Sequence, residues 1–196
     1  GEGARGAREV RVLGPQGSTL WAAVTISVVQ GAGDDEAFAL AVLTDVTDRR
    51  AAEQTLTYQA RHDALTGLPN RYALVERLEA ALQRLWGTST YVGVLFCDLD
   101  GFKNLNDTLS HRAGDEVLTG VAERLRGAVR PQDTVARLGG DEFVVIAEDV
   151  ASPHEAVALG ERLCASLRAP FRVEGRSVGL SLSVGVATTT DPRASS

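Results

Sequence analysis

An α/β sandwich of the ferredoxin-like type, with helices flanking a central mixed sheet, is predicted by three observations. Apolar residues recur at helical spacing in three segments separated by stretches of strand character. A Gly139-Gly140 pair joins two short apolar runs as a hairpin, and the last apolar segment alternates strictly. A β-hairpin and a connecting helix are expected ahead of this sandwich.

The elements follow in chain order. Residues 19–29 place Leu20, Ala22, Val24, Ile26 and Val28 on one face and Trp21, Thr25 and Ser27 on the other, the pattern of a half-buried strand. Gly31, Ala32, Gly33, Asp34 and Asp35 suit a turn, and 37–46 reads as the returning strand. Two or three strands cannot bury a core alone, so this part is expected to be the tail of a domain whose beginning is absent. Past Asp48 the period becomes four, with Ala52, Leu56 and Ala60 on one stripe and Thr47 as the expected N-cap. A stripe that thin suits a two-helix seam between chains.

Asn70 opens a second helix through Leu74, Leu78, Ala81, Leu82 and Leu85, closed at Gly87. Strand character returns at 91–97. A third helix from about Gly114 turns Val117, Leu118, Val121, Leu125 and Ala128 inward and stops before Pro131. Strands at 134–138 and 143–147 flank the glycine pair. A fourth helix, 153–167, carries Ala156, Leu159, Gly160, Leu163 and Leu167 inward. The chain closes with a strand at 171–173, a turn at Glu174-Gly175, and one alternating strand with Val178, Leu180, Leu182, Val184 and Val186 inside.

Composition narrows the function. With 44% hydrophobic and 23% charged residues the 196-residue chain has ample material for a core. A net charge of -6 disfavours nucleic acid and anionic lipid as partners. The longest apolar runs reach seven residues, against roughly 20 for a membrane helix, so no membrane segment is expected. Residues 1–11 hold no apolar stretch of the signal-peptide kind. Cys97 and Cys164 show no metal spacing and read as reduced thiols of a cytoplasmic protein.

Three constellations carry chemistry. Asp98 and Asp100 end an apolar strand on one face, where a hard cation such as Mg2+ would find oxygen ligands; a plain polar strand end, with Asp100 capping the turn before Gly101, explains them equally well. Asp141 and Glu142 follow two glycines, which lets a ligand approach the backbone closely. If that hairpin lies beside the Asp98 strand, Asp98 and Asp141 can share a metal pair in the layout of two-metal phosphoryl transfer. Between them, Lys103 and the backbone amides after Asp100 suit phosphate, and Asn106 and Asp115 can read a purine edge. Alternatively Asn106 and Asp107 cap the next helix. His111 reads as a packing or hydrogen-bonding residue.

RLGGDEF at 137–143, FCDLDGFKNLND at 96–107 and GD at 114–115, with DALTGLPNR at 63–71 and SVGVA at 183–187, resemble the GGDEF domain of diguanylate cyclases. The hairpin ending in DVTDRR at 45–50 resembles the last strands of a PAS sensor domain and its exit motif. The organisation this resemblance implies is a partial PAS domain at 1–47, a signalling helix at 48–61, and a GGDEF domain of the palm-type, ferredoxin-like fold at 62–196.

The resemblance further implies that Asp98, Asp141 and the Leu99 carbonyl bind two Mg2+ ions per active site, or Mn2+, with Asp141 and Glu142 catalytic. Asn106 and Asp115 would hold guanine, while Phe102, Lys103 and nearby amides face the phosphates. The family joins two GTP molecules into cyclic di-GMP and pyrophosphate across a homodimer. Arg130 and Asp133 match its product-inhibition site, where cyclic di-GMP binds, in offset from the glycines as well as in residue type; a helix-end arginine followed by a turn is the alternative.

Ser110 stands where the family usually has glycine. The family also continues past SVGVA into a helix with a basic motif, so the chain is expected to be truncated at its C-terminus. A non-cyclase reading competes: a GTP- or cyclic di-GMP-binding regulatory domain in tandem with a phosphodiesterase (EAL) domain, whose members the APFRVEGRSV stretch at 169–178 resembles. A degenerate dimerisation domain is disfavoured, because the acidic and amide positions all stand in their expected forms.

Overall fold

The computed structural model describes residues 5–14, 17–30 and 37–194. The chain divides into two compact units, Gly1–Tyr58 and Gln59–Ser196.

In the first unit β1 (Arg5–Leu13), β2 (Thr19–Gln30) and β3 (Ala37–Asp45) form an antiparallel sheet in that order. The predicted hairpin is β2 with β3, Val24 lying opposite Leu43; its turn at 31–35 falls outside the described residues. β1 is additional. Its alternation of Val10 and Val12 with Glu9 and Arg11 is too short, after a Gly-rich start, for the period to stand out. The fold answers the charge of Glu9 with Arg49 at 2.5 Å and Arg50 at 3.0 Å.

α1 (Thr47–Arg61) leaves this sheet. Thr47 is not its cap: the Arg50 N–H already donates to the Val46 carbonyl, and Thr47 Oγ1 instead accepts from the Trp21 N–H at 2.9 Å. None of its residues is buried, so the stripe of Ala52, Leu56 and Ala60 is open.

The second unit begins with α2 (Arg71–Arg84), capped by the Asn70 side chain, which accepts from the Ala73 N–H at 3.1 Å. β4 (Tyr91–Asp100) leads into α3 (Phe102–Thr108) and α4 (His111–Ala128). The hairpin of β5 (Thr134–Gly139) and β6 (Glu142–Val150) comes next, then α5 (Pro153–Ser166). A ribbon of β7 (Phe171–Val173) and β8 (Arg176–Val178) precedes β9 (Ser181–Thr189).

The main sheet runs β5-β6-β4-β9, the ferredoxin-like order. It is antiparallel throughout, not mixed as expected. Each helical crossover returns to a strand two positions away, with an antiparallel strand between, so parallel strands never become neighbours.

Three local differences reach the site. α3 occupies the stretch read as a phosphate-binding turn; with only Phe102 and Leu105 buried in seven residues, it offers no period to read. α4 starts at His111, and its cap is Ser110, whose hydroxyl accepts from the Ala113 N–H at 3.1 Å; Asn106 and Asp107 cap nothing here. The closing strand is broken, Val178 ending the ribbon and Ser181 starting β9, because an alternating pattern cannot register a change of partner.

The core has two layers. On one sheet face Val117, Val121 and Leu125 of α4 and Leu159 and Leu163 of α5 pack with Leu95, Cys97, Phe143 and Val145. On the other, Leu74, Leu82 and Leu85 meet Val92, Val144 and Ile146. Each such fully buried side chain stabilises by about 1.5–3 kcal/mol. That second cluster does not take in Phe96, Asp98 or Asp100, which stay exposed on the same face at the exit of β4.

Candidate active site

The exit of β4 brings acidic groups together by register. Glu142 on β6 lies directly across from Asp98, Ser183 on β9 flanks Asp98 on the other side, and Asp141 closes the turn just before Glu142. Carboxylates directly opposite in a ladder repel, and no ion pair among the described residues takes in Asp98, Asp141 or Glu142. The pairing with β6 ends at Asp98 whereas that with β9 runs on to Asp100. The Leu99 backbone therefore lacks a ladder partner on the β6 side.

This donor set fits a hard divalent cation, which would offset the repulsion. Among the described residues no three His, Cys, Asp or Glu side chains converge closely enough to hold an ion unaided. Substrate or solvent oxygens must complete any shell.

Asp100, the neighbouring carboxylate, is differently placed. Ser181 Oγ donates to one of its oxygens and Ser183 Oγ to the other, each at 2.7 Å. These hydroxyls hold it below the ordinary carboxylate range. It ties β9 to β4 and does not cap the turn before Gly101.

The acidic turn rests on two glycines, Gly139 at φ 144° and Gly140 at φ 52°, both in the region L side chains avoid. Arg137, 9% exposed, reaches around it: Nε and Nη2 donate to the Gly140 carbonyl at 3.1 and 2.8 Å, and Nη1 to Asp63 Oδ1 at 2.8 Å. Sequence reasoning gave neither Arg137 nor Asp63 a role. The available signal was an arginine inside an apolar strand two residues before the glycines.

Asn106 lies in the last turn of α3, its amide oxygen buried without a hydrogen-bond partner. It rests against Gly114, where a Cβ would come within 2.0 Å of that oxygen. Asp115, the residue after Gly114 on α4, is exposed, as are Lys103 on α3 and His111 at the start of α4. The Phe102 ring does not face a phosphate site: it is 6% exposed within the core, which leaves only its backbone for a ligand. Cys97 is likewise core, burial pushing its thiol up to about 12.

Arg130 and Asp133 sit apart from this centre, at the end of α4. Asp133 accepts from the Arg130 N–H at 2.9 Å and from the Glu148 N–H at 3.3 Å, and so shapes the turn. The Arg130 guanidinium pairs with Glu155 at 2.5 Å and borders a cavity of about 260 Å3 shared with Arg77 and Arg126.

Fold and site together define a ferredoxin-like domain with an acidic strand-and-hairpin centre. A family model described as the GGDEF domain of diguanylate cyclases matches residues 60–196, and the chain belongs to that family. Membership implies use of a divalent metal in general terms.

Similar curated proteins include the bifunctional diguanylate cyclase/cyclic di-GMP phosphodiesterase MucR of Pseudomonas aeruginosa, 41% identical over 180 residues, 85% of this chain and 26% of MucR. The diguanylate cyclase TpbB of the same species is 46% identical over 134 residues, 68% of this chain and 31% of TpbB. The cyclic di-GMP phosphodiesterase PdeR of Escherichia coli is 37% identical over 82% of this chain and 24% of its own length. This chain thus spans about a quarter to a third of these relatives.

Among solved structures, the isolated GGDEF domain of TpbB superposes with a TM-score of 0.63 at 45% identity, covering 65% of this chain and 74% of that one. The coiled coil and GGDEF domain of DgcB from Caulobacter crescentus, solved with c-di-GMP, gives 0.68 at 25% identity, covering 76% and 80%. No helix among the described residues is long and apolar enough to cross a membrane.

Proposed function

We propose that this chain is the catalytic part of a cytoplasmic signalling protein that condenses two GTP molecules into cyclic di-GMP with release of pyrophosphate. The observation that carries this reading is the β4/β6 register, which sets Asp98 across from Glu142 beside the Gly139-Gly140-Asp141 turn. Asp98, Asp141 and the Leu99 carbonyl would hold two Mg2+ ions, or Mn2+, which supply charge neutralisation at the phosphates. Asp141 takes the proton from the ribose 3′-hydroxyl as the hydroxyl oxygen attacks the α-phosphate of the second GTP and pyrophosphate leaves in line; the facing half-site repeats the step on the other α-phosphate, closing the ring and releasing a second pyrophosphate. Glu142 completes the acidic turn.

Asn106 and Asp115 hold guanine. The orphaned amide oxygen of Asn106 supports this, since a buried acceptor without a partner costs about 1–3 kcal/mol and turning the amide toward a base relieves it. Lys103 and the amides around Phe102 face the phosphates. One GTP per protomer requires a homodimer with facing half-sites; the open stripe of α1 supports a seam between helices 48–61, which carry a signal from a partial PAS domain at 1–47 into the GGDEF domain at 62–196. Cyclic di-GMP binds at Arg130 and Asp133, exchanging the Glu155 pairing of Arg130 for its own phosphate or guanine edge.

A second reading is favoured by the similarity to MucR and PdeR, proteins named for phosphodiesterase activity: a GTP- or cyclic di-GMP-binding regulatory domain in tandem with an EAL phosphodiesterase. Assay of cyclic di-GMP formation from GTP and Mg2+ separates them. The cyclase reading expects synthesis by the wild type and none by Asp141→Asn, whose melting curve stays unchanged. Nucleotide binding without synthesis by the wild type selects the regulatory reading, and synthesis retained in Asp141→Asn removes Asp141 from the site.

A further inference from the structure

We infer that the loop at 63–70 and Arg137 form a brace that positions the acidic turn, with Asp63 and Arg137 as positioning residues acting on Asp141; this rests on the reading of Asp141 given above. The glycine pair that lets a ligand approach the turn also leaves it loose, because neither residue has a Cβ to restrict φ and ψ. Something else must select one conformation. Arg137 does so with a fork: one edge of its guanidinium fixes the Gly140 carbonyl, on the peptide that joins Gly140 to Asp141, and the remaining nitrogen binds Asp63.

Asp63 is in turn held on the same oxygen by the Thr66 N–H at 2.9 Å and the Thr66 hydroxyl at 2.7 Å. Its loop is closed by the Asp63 N–H on the Leu68 carbonyl and the Gly67 N–H on the Asp63 carbonyl, around a fully buried Leu68. The Arg137 N–H donates to the Pro69 carbonyl at 2.9 Å, so strand and loop are joined twice.

The other end of the loop grips α1. The Asn70 N–H donates to the Arg61 carbonyl and Asn70 Nδ2 to the Ala60 carbonyl, both at 2.9 Å. Hydrogen bonds therefore run without a break from the last turn of α1, through 63–70 and Arg137, to the carbonyl preceding Asp141. A displacement at the end of α1 reaches the turn along this route. Lysine cannot replace Arg137, since a single ammonium has no planar fork to hold a carbonyl and a carboxylate at once.

Amide hydrogen exchange of the full chain, without metal or nucleotide, tests the brace. Arg137→Lys is expected to speed exchange at 139–142 about tenfold or more while β4 and α4 keep wild-type protection, and Asp63→Asn to raise it less. The double variant should match Arg137→Lys alone, because Asp63 acts through Arg137. Mn2+ titration with a non-hydrolysable GTP analogue should weaken about tenfold in Arg137→Lys. Wild-type exchange at 139–142 in Arg137→Lys, or additive effects in the double variant, overturns the brace. If Arg137→Lys fails to fold, Asp63→Asn decides by the same exchange criterion. Absence of Mn2+ binding in the wild type counts against the cyclase reading, while the exchange result still judges the brace.

Discussion

Gly114 shows what one missing side chain does for the site. A Cβ there would meet Asn106 Oδ1 at 2.0 Å and the Phe102 ring at 3.3 Å, so Asn106 lies where it does because α4 has no side chain at that point. Gly114→Ala gains helix propensity of up to about 1 kcal/mol yet must push Asn106 aside. We expect GTP affinity to fall about tenfold or more by calorimetry while the melting temperature moves by only a few degrees. Asp63 gives a second outcome at this scale. Partial burial pushes its carboxyl up, but the Thr66 hydroxyl and amide and the Arg137 guanidinium outweigh that and hold it below the ordinary value. Its folded pKa thus lies under its unfolded one, so its stabilisation is present above about pH 4 and is lost as pH falls through the folded value. Urea midpoints of wild type and Asp63→Asn should therefore differ near neutrality and converge in acid; a constant gap at all pH values would exclude the ionised carboxylate as the cause. Asp98 and Asp141 were legible because strand alternation and a two-residue turn fix where they point. The orientation of Asn106 was not, since it depends on Gly114 in the following helix.

Short elements are where sequence and structure part. The helices α2, α4 and α5 repeat their apolar period over three or more turns, and the sequence places all three, missing only the first three residues of α4. α3 has two inward residues and a glycine in front, and β1 is masked by charge. Ser110 illustrates how a cap organises its surroundings: its hydroxyl accepts from the Ala113 N–H and donates to Glu174 at 2.7 Å, binding the start of α4 to the β7–β8 turn, where Glu174 and Gly175 take φ of 50° and 74°. Ser110→Ala should cost about 1 kcal/mol, a fall in melting temperature of roughly 3–6 °C. Ser110→Gly should restore most of the cap without the tie to Glu174. Equal melting of all three proteins would mean that the cap contributes nothing.

At the scale of the molecule the two units differ in how they meet water. Gln59–Ser196 buries apolar residues on both faces of its sheet. The sheet of the first unit leaves Ile26 and Val28 exposed on one face and Phe38, Leu40 and Val42 on the other, as three strands must. α1, fifteen residues long with none buried, carries the chain from the first unit into the second. Glu9, Trp21 and Asn70 hold its two ends, while its middle, with no buried side chain, is only marginally stable in water and opens more readily. Its middle carries Leu56 and Tyr58, 65% and 55% exposed, both substrates for chymotrypsin. Nicking there should be fast in dilute solution. If two copies pair along Ala52, Leu56 and Ala60, the same bonds become shielded, and the cleavage rate should fall as protein concentration rises; a rate independent of concentration would leave the helices unpaired. The bare flank of α1 thus turns a protease into a gauge of self-association.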